Sequence, residues 1–327
     1  MNWKEKKILI TGGCGFIGSH LVEQLQSLGT TIRVFARYTS SGSLGNLSYL
    51  SHEDIDIIYG DLRNPDIVRK AMRDIDVVFH LASLISIPYS YLNPSEYFDV
   101  NVKAINNILE CARDFSTELV VHTSTSEVYG TAQYVPIDER HPLQAQSPYS
   151  ASKIAADKLV ESYHLSFNLP VITVRPFNTF GPRQSTRAII PTIIKQLLDG
   201  NDLLLGDLTP TRDLLYVKDT VSGFIVAAEH FNKLNGSTIN IGTGTEISMR
   251  NLANLIGKII QVEPNFITNE KKMRPKTSEV RRLCCNAEKF TSITRWIPKF
   301  SLEQGLEETI RFYRKYKDRI YQSQDFL

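Results

Sequence analysis

The sequence predicts an α/β fold, in which a doubly wound parallel sheet is followed by a smaller, mixed α/β carboxy-terminal lobe. In the first half of the chain, short apolar strands alternate with amphipathic helical patterns, which is typical of a parallel sheet between two helical layers. After Pro176 the alternation stops, and glycine, proline and threonine cluster at 178–186 and 206–212. At 327 residues the chain is long enough to bury a large core in two lobes.

The alternating elements follow one another closely. A strand over 7–11 precedes a helix over 19–28, which Gly29 ends. The later predicted elements are strands at 32–36 and 55–59, a helix at 65–72, a strand at 77–81, a helix at 95–114, a strand at 119–123, a helix at 149–167 and a strand at 171–175. We therefore predict one domain over 1–176, to which a segment near 212–242 returns, and a second lobe formed mainly by 177–327.

Composition and charge argue against several classes of partner. The 37 basic and 35 acidic residues nearly cancel, so net charge favours neither nucleic acid nor a membrane. No stretch approaches the roughly 20 apolar residues of a membrane span, and the apolar run at 8–10 is too short for a signal-peptide core. The cysteines at 14, 111, 284 and 285 lack metal-type spacing. We therefore expect reduced thiols, no metal site and a cytoplasmic protein.

A glycine-rich turn follows the first strand. Gly12, Gly15 and Gly18 permit a tight turn, close approach of the backbone to a pyrophosphate, and close packing of helix on sheet. The pattern alone is weak evidence, but here it lies between a strand and an amphipathic helix, as a dinucleotide site requires. We therefore predict a Rossmann-type cofactor site that includes Phe16 and Ile17.

The end of the second strand bears on the choice between NAD and NADP. An acidic residue is expected there to bind the adenosine ribose, but the sequence has Ala36 and Arg37. Arg37 with Ser40 and Ser41 can bind a 2′-phosphate, which favours NADP, with NAD as the alternative. In the other interpretation, Arg37 only stacks on adenine. Asp61 either accepts a hydrogen bond from the adenine amino group or is a turn residue.

The catalytic candidates follow the strand at 119–123 and begin the next helix. Thr125, Ser126 and Glu127 come after the strand, and Tyr149 and Lys153 lie one turn apart on one helix face. A tyrosine with a pKa of about 10 is a poor base at neutral pH, and a neighbouring cation favours its phenolate. Glu127 adds an acid/base group; alternatively, it caps the loop or pairs with a surface lysine.

These residues resemble the extended short-chain dehydrogenase/reductase family, in its nucleotide-sugar epimerase/dehydratase branch, over nearly the whole chain. The ordered markers are 11–18, 60–62, 80–82, 125–130, 149–153, 175–183, 212–219 and 240–242. The resemblance implies that 1–176 is an NAD(P)-binding Rossmann domain and that 177–327 mainly binds a nucleotide sugar. It also adds Leu62, Leu81 and Ala82 to the cofactor site.

The resemblance implies a role for each catalytic candidate. Thr125 would hydrogen-bond the sugar C4 hydroxyl and Tyr149 would take its proton, while Lys153 would hold the nicotinamide ribose and lower the pKa of Tyr149. Epimerases of the family have no carboxylate where this chain has Glu127, whereas 4,6-dehydratases have one. Ser126 with Glu127 is the pair of GDP-mannose 4,6-dehydratases, where the dTDP-glucose type has Asp-Glu.

The expected reaction uses this carboxylate. Oxidation at C4 makes the C5 proton acidic, and a carboxylate can remove it before water leaves C6. Hydride then returns to C6, giving a 4-keto-6-deoxy sugar. The strings at 87–90 and 146–153 are similar to UDP- or GDP-N-acetylglucosamine 4,6-dehydratases of legionaminic-acid-type pathways. We therefore predict a 4,6-dehydratase that acts on a nucleoside-diphosphate N-acetylglucosamine.

The substrate diphosphate needs positive charge from the second lobe, and arginine matches phosphate oxygens in bidentate fashion. Arg212 and Arg274 occupy positions where the family has phosphate-binding arginines. The full set of candidates is Asn178, Arg183, Arg187, Arg212, Arg274 and Glu279. Arg183 and Arg187 are alternatively surface charges, and Glu279 is either a ribose ligand or an ordinary loop acid.

Three other functions share these markers. UDP-glucuronate decarboxylases have the same string at 125–130, but typically carry an acid inside the Tyr-Lys segment, which is Ser-Ala-Ser here. Glu127 disfavours a 4-epimerase. A non-catalytic NADP-sensing protein of this fold usually lacks the tyrosine or the lysine. Finally, the helices at 95–114 and 149–167 are apolar over more than one face and pair across a two-fold axis in the family, which predicts a homodimer.

Overall fold

The computed structural model describes residues 1–52, 54–270, 273–275 and 277–322. The strands in these ranges are β1 (Lys7–Thr11), β2 (Thr31–Arg37), β3 (Asp56–Gly60), β4 (Val77–His80), β5 (Leu119–Thr123), β6 (Val171–Pro176), β7 (Asn178–Phe180), β8 (Asp202–Leu205), β9 (Thr211–Arg212), β10 (Leu214–Tyr216), β11 (Thr238–Ile241), β12 (Ile247–Ser248), β13 (Asn265–Thr268) and β14 (Arg282–Leu283).

The helices run between and around these strands. They are α1 (Phe16–Ser27), α2 (Pro65–Met72), α3 (Ile87–Leu92), α4 (Pro94–Asp114), α5 (Pro148–Phe167), α6 (Ile189–Asp199), α7 (Val217–Glu229), α8 (Phe231–Leu234), α9 (Met249–Ile260), α10 (Glu288–Thr294), α11 (Leu302–Lys315) and α12 (Lys317–Gln322). None of the helices that the structure describes is both long and apolar enough to span a membrane.

A seven-stranded parallel sheet is the centre of the fold, in the order β11-β6-β5-β4-β1-β2-β3. From β1 the chain first adds β2 and β3 on one side, and then returns to add β4, β5 and β6 on the other. Ligands of such sheets bind where this direction reverses, at the carboxyl ends of the strands. The predicted doubly wound, Rossmann-type sheet is confirmed.

The two faces of the sheet are buried in separate cores. Ile8 and Ile10 of β1 pack in one core with Phe224 of α7, while Leu9 packs in the other with Ile105 of α4. Strands covered by helices on both faces are apolar throughout, because neither set of alternating side chains meets water.

The predicted strands differ from the observed ones by at most one residue at either end, and the largest difference lies at a helix start. Helix α1 begins at Phe16, three residues before the predicted start. The sequence pattern placed the start too late because Gly18, a poor helix former, lies in the first turn. Helices α4 and α5 begin one residue early, at Pro94 and Pro148. Proline suits the first helical position, since its missing N–H would have no partner there.

The second lobe encloses a core of its own. Helices α6, α9 and α11 surround it, and β8 and β10 contribute buried leucines. Part of the later chain returns to the first domain: β11 forms one edge of the main sheet, and α7 packs against α1. Phe290 of α10 and Trp296 just after it also pack in the core of the first domain. They lie outside the segment near 212–242 that was predicted to return to that domain.

Candidate active site

A cleft of about 1880 Å³ runs along the carboxyl ends of the parallel strands and continues into the second lobe. Most of the residues predicted from the sequence line it: Gly12, Gly15, Phe16, Ile17, Gly18, Arg37, Asp61, Leu62, Leu81, Ala82, Thr125, Ser126, Glu127, Tyr149, Lys153, Asn178, Arg187, Arg212, Arg274 and Glu279. Ser40 and Arg183 are not in this lining. The topology therefore brings residues from distant parts of the chain to one continuous site.

The glycine turn after β1 lies against the end of β4. Gly12 has a positive φ of 74°, and a Cβ there would lie 2.8 Å from the backbone nitrogen of Ala82. A Cβ on Gly18 would collide with the carbonyl oxygen of Gly12. The turn is therefore tight enough to leave room for a pyrophosphate beside the first N–H groups of α1, which have no intrahelical partner. The residues present fit a dinucleotide.

At the end of β2, Ala36 is buried while Arg37 is exposed and lines the cleft. Across from them, Asp61 accepts hydrogen bonds from the backbone N–H of Arg63 at 2.9 Å and from its guanidinium at 3.0 and 2.5 Å. This pairing with Arg63 holds the pKa of Asp61 below its usual value, and the nearby Arg37 adds to the effect. Asp61 thus has the geometry of a turn residue while also facing the cleft.

The catalytic candidates converge where β5 ends. Thr125 is extended and caps a 3-10 turn over Ser126–Tyr129, its Oγ1 accepting the backbone N–H of Glu127 at 3.2 Å. This turn brings the half-buried Glu127 to the cleft wall. Burial raises the pKa of the Tyr149 hydroxyl, and its hydrogen bond with Thr125 opposes that rise. Thr125, Glu127 and Tyr149 therefore face one region of the cleft.

Lys153 is a buried cation on the same helix as Tyr149. Its Nζ donates to the carbonyl oxygen of Thr123 at 2.7 Å, which leaves further N–H donors on the ammonium. Burial lowers the pKa of Lys153 to about 8. The side chain is therefore still charged at neutral pH, one helical turn from Tyr149.

The substrate side of the cleft has two guanidinium groups around a carboxylate. The buried Arg212 donates to the carbonyl of Thr211 at 2.9 Å and to Glu279 Oε1 at 3.3 Å, and Arg274 Nη1 lies 3.7 Å from the same Glu279 oxygen. Burial lowers the pKa of Arg212, and the charge of Glu127 opposes this. Arg212 thus contacts Glu279 and lies close enough to Glu127 to interact with its charge.

Two other predicted residues differ in their surroundings. Asn178 Oδ1 is buried and has no hydrogen-bond partner within the described residues, so a ligand donor would satisfy it. Arg183 instead pairs with Glu23 at 2.6 Å, and its carbonyl accepts from Asn46 at 3.0 Å. Arg183 therefore connects the two lobes outside the cleft lining, whereas Arg187 lies within it.

Sequence reasoning missed a buried polar layer behind Lys153. It consists of His122, Ser124, Asp157 and Arg175, all joined through the Asp157 carboxylate. The available signal was the position of Asp157, four residues after Lys153 and so on the same face of α5. Within the described residues, no cluster of His, Cys, Asp or Glu could hold a metal ion.

Comparison with known proteins identifies the family. A family model described as GDP-mannose 4,6 dehydratase matches residues 9–309. This chain belongs to that family. It is thus an extended short-chain dehydrogenase/reductase of the nucleotide-sugar dehydratase and epimerase branch, as the ordered motifs predicted.

Family members with different reactions are similar to this chain. The putative UDP-glucose 4-epimerase of Methanocaldococcus jannaschii is 30% identical over 313 residues, covering 94% of this chain and 98% of the relative. The UDP-N-acetyl-alpha-D-glucosaminuronate decarboxylase of Bacillus cytotoxicus is 32% identical over 336 residues, covering 95% and 98%. The solved structure of DesIV, a dTDP-glucose 4,6-dehydratase of Streptomyces venezuelae with NAD and TYD bound, matches with a TM-score of 0.87 and 28% identity, covering 96% and 98%. The family is therefore shown, and the choice among its reactions depends on individual site residues.

Proposed function

We propose that this protein is a nucleoside-diphosphate-sugar 4,6-dehydratase that acts on an N-acetylglucosamine nucleotide. The observation that carries the proposal is the position of Glu127. Its carboxylate lines the same cleft as Thr125 and Tyr149, immediately after β5. A 4-epimerase has no step that requires a carboxylate at this place.

The first step uses Thr125, Tyr149 and Lys153. Thr125 binds the C4 hydroxyl of the sugar, and Tyr149 as phenolate removes its proton. Lys153 stabilises that phenolate electrostatically and binds the nicotinamide ribose through its remaining N–H donors. When bound, NAD(P) takes the hydride from C4 and later returns it to C6, so the cofactor is regenerated in each turnover.

The second step uses Glu127. The C4 ketone acidifies the C5 proton, and the carboxylate removes it. Ser126 is a much weaker acid than a carboxylic acid, so protonated Glu127 passes this proton to the departing C6 hydroxyl while Ser126 orients the group. Water is thereby lost between C5 and C6. When hydride is returned to C6, a proton from solvent is added at C5, and Tyr149 releases the proton that it took from the C4 hydroxyl, so that the net change is the loss of one water.

The remaining cleft residues bind the two nucleotides. Arg37 is the exposed cation at the end of β2, and we assign it to the 2′-phosphate of NADP, with NAD as the alternative. The other arginine nearby, Arg63, is already paired with Asp61. Arg37 is therefore the better anion ligand of the two. In the second lobe, Asn178, Arg187, Arg212 and Arg274 bind the sugar diphosphate and Glu279 binds a ribose hydroxyl.

Decarboxylation is the main competing reaction, since a decarboxylase of Bacillus cytotoxicus is 32% identical to this chain. A hexuronate substrate carries a carboxylate on C6, and UDP-glucuronate decarboxylases share the string at 125–130, so Glu127 by itself fits either reaction. The segment between Tyr149 and Lys153 is Ser-Ala-Ser here, whereas those decarboxylases typically carry an acid inside it. This difference favours dehydration.

The predicted homodimer is part of the proposal. Helices α4 and α5 pack against each other and still leave apolar side chains outside: Phe98 of α4 is 43% exposed and Leu165 of α5 is 76% exposed. A two-fold interface on these helices would bury both. Light scattering at micromolar concentration tests this, and a monomer would contradict it.

A substrate panel tests the proposed reaction. Purified protein is incubated without added reductant with UDP-, GDP-, dTDP- and CDP-sugars, including the N-acetylglucosamine forms. We expect one nucleotide N-acetylglucosamine to lose the mass of one water. Glu127→Gln is the matched control, because it keeps the size of the side chain and removes the base. Release of carbon dioxide from a UDP-hexuronate, or inversion at C4 without mass loss, would contradict the proposal.

A further inference from the structure

A buried carboxylate that the proposed steps do not use lies directly behind Lys153. Asp157, 5% exposed, accepts hydrogen bonds from Ser124 Oγ at 2.8 Å and from the Arg175 guanidinium at 3.1 and 2.9 Å. Its second oxygen lies 3.2 Å from His122 Nε2. A buried charge is tolerated when hydrogen bonds and an opposite charge satisfy it, and Asp157 has both.

Asp157 contacts the backbone segment that holds Lys153. The ammonium of Lys153 donates to the carbonyl of Thr123 at 2.7 Å. The two β5-side partners of Asp157 are His122 and Ser124, the residues immediately before and after Thr123. The carboxylate therefore fixes the chain on both sides of the carbonyl that positions the ammonium.

Among the ionisable groups of the buried layer behind Lys153, Asp157 is the anion. His80 of β4 and His122 of β5 stack with ring centroids 5.9 Å apart, and burial lowers the pKa of each, so both are neutral at pH 7. Arg175 of β6 shares the carboxylate, and its Nη1 donates to the Tyr129 hydroxyl at 2.9 Å. Tyr149 on α5 interacts with the charge of Asp157 and, from the cleft side, with that of Glu127.

The electrostatics of Lys153 agree with this arrangement. Burial lowers its pKa to about 8, and the charge of Asp157 acts in the opposite direction. Hydrogen bonding to His122 and the Arg175 charge overcome the effect of burial and hold the pKa of Asp157 at about 2. The carboxylate thus stays ionised over the whole range in which Lys153 titrates.

We propose that Asp157 is a positioning residue for C4 oxidation, one that fixes the Thr123 carbonyl to which the Lys153 ammonium donates and provides the buried anion behind that ammonium. The inference rests on the hydride-transfer part of the proposed function and not on the loss of water. Without the anion, Lys153 loses its proton at lower pH. The ribose donor and the cation that stabilises the Tyr149 phenolate then disappear together.

The test is the pH dependence of affinity for the reduced nicotinamide cofactor, measured by fluorescence with the folded full-length protein. In the wild type, affinity falls as pH rises through about 8, where Lys153 loses its charge. In Asp157→Asn the midpoint of this fall moves down by on the order of one pH unit, and Asp157→Glu restores it. Ser124→Ala is the matched control, because it removes one hydrogen bond to the same carboxylate but leaves the charge, so its midpoint stays at the wild-type value.

A folded Asp157→Asn protein that binds the cofactor more weakly at every pH, with an unchanged midpoint, would overturn the inference. Should this variant not fold, Arg175→Gln provides the second test. This substitution removes the guanidinium that pairs with Asp157, so the full charge of the Asp157 carboxylate acts on Lys153 and the midpoint moves to higher pH. No shift, or a shift to lower pH, contradicts the inference. Failure of the proposed reaction would appear separately, as a lack of any converted sugar, and leaves the cofactor measurement intact.

Discussion

The backbone N–H of Glu127 donates a hydrogen bond to Thr125 Oγ1 at 3.2 Å. The residue proposed to bind the C4 hydroxyl therefore also positions the carboxylate proposed to act at C5. One side chain thus connects the two steps of the reaction, because the 3-10 turn that presents Glu127 begins at Thr125.

This relationship predicts different effects for two substitutions of Thr125. Thr125→Val keeps the shape but removes both the cap and the C4 contact, while Thr125→Ser keeps the hydroxyl. We expect the valine variant to lose about 0.5–2 kcal/mol of unfolding free energy, as for a lost N-cap, and about 10²-fold in turnover. The serine variant should retain most of both. Denaturant unfolding and steady-state kinetics measure the two effects; equal activity in both variants would exclude a catalytic hydroxyl.

The glycine turn makes a prediction for cofactor binding. A Cβ at Gly18 would collide with the Gly12 carbonyl, so Gly18→Ala must displace the turn that faces the pyrophosphate. We expect affinity for NAD(P) to fall by at least tenfold while the protein stays folded. Gly200→Ala is the matched control, since a Cβ there has nothing within 4 Å. Calorimetric titration compares them, and unchanged affinity in Gly18→Ala would place the cofactor elsewhere.

Arg37 is the residue proposed to select NADP over NAD. Arg37→Ala should weaken NADP binding by roughly 1.5–3 kcal/mol, the value of a hydrogen bond to a charged group, and change NAD binding little. The NAD measurement on the same variant is the control for general damage. Equal losses for both cofactors would mean that Arg37 only stacks on adenine.

Two arginines of the second lobe are expected to have different roles, one as a ligand of the diphosphate and the other as a structural charge. Arg212 lies in the cleft beside Glu279, whereas Arg183 lies outside its lining and pairs with Glu23. Arg212→Lys keeps the charge but loses the bidentate geometry, so we expect about tenfold weaker nucleotide-sugar binding. Arg183→Lys should bind as the wild type does. Binding of the nucleoside diphosphate alone, measured calorimetrically, gives the comparison, and equal effects would remove Arg212 from the phosphate site.

The sequence predicted the parts of the site that depend on local patterns. The glycine turn, the segment after β5 and the Tyr149–Lys153 pair each lie next to a regular strand or helix, so their neighbours in space follow from the periodicity. The second lobe could not be predicted in this way. Its strands β9, β12 and β14 have two residues each and pair only through tertiary contacts, such as Arg212 with Leu283.

The same limit applies to single residues. Arg183 and Arg212 both occur in irregular segments rich in glycine, proline or threonine, and only their tertiary partners, Glu23 and Glu279, distinguish them. Asp157 is similar: its spacing from Lys153 was visible, but its contacts with His122, Ser124 and Arg175 come from two neighbouring strands and the loop after one of them. Burial of a carboxylate depends on such contacts.

Glu127 is proposed to perform the elimination, and a comparison of Glu127→Gln with Ser126→Ala in deuterated water tests this role. We expect Glu127→Gln to accumulate reduced cofactor on addition of substrate. In this variant the rates of C5 deuterium exchange and of dehydration should both fall by about 10²–10⁴-fold, as for a missing general acid/base. Ser126→Ala should retain most of both activities. Near-normal dehydration by Glu127→Gln, or a larger loss in Ser126→Ala, would contradict the assignment.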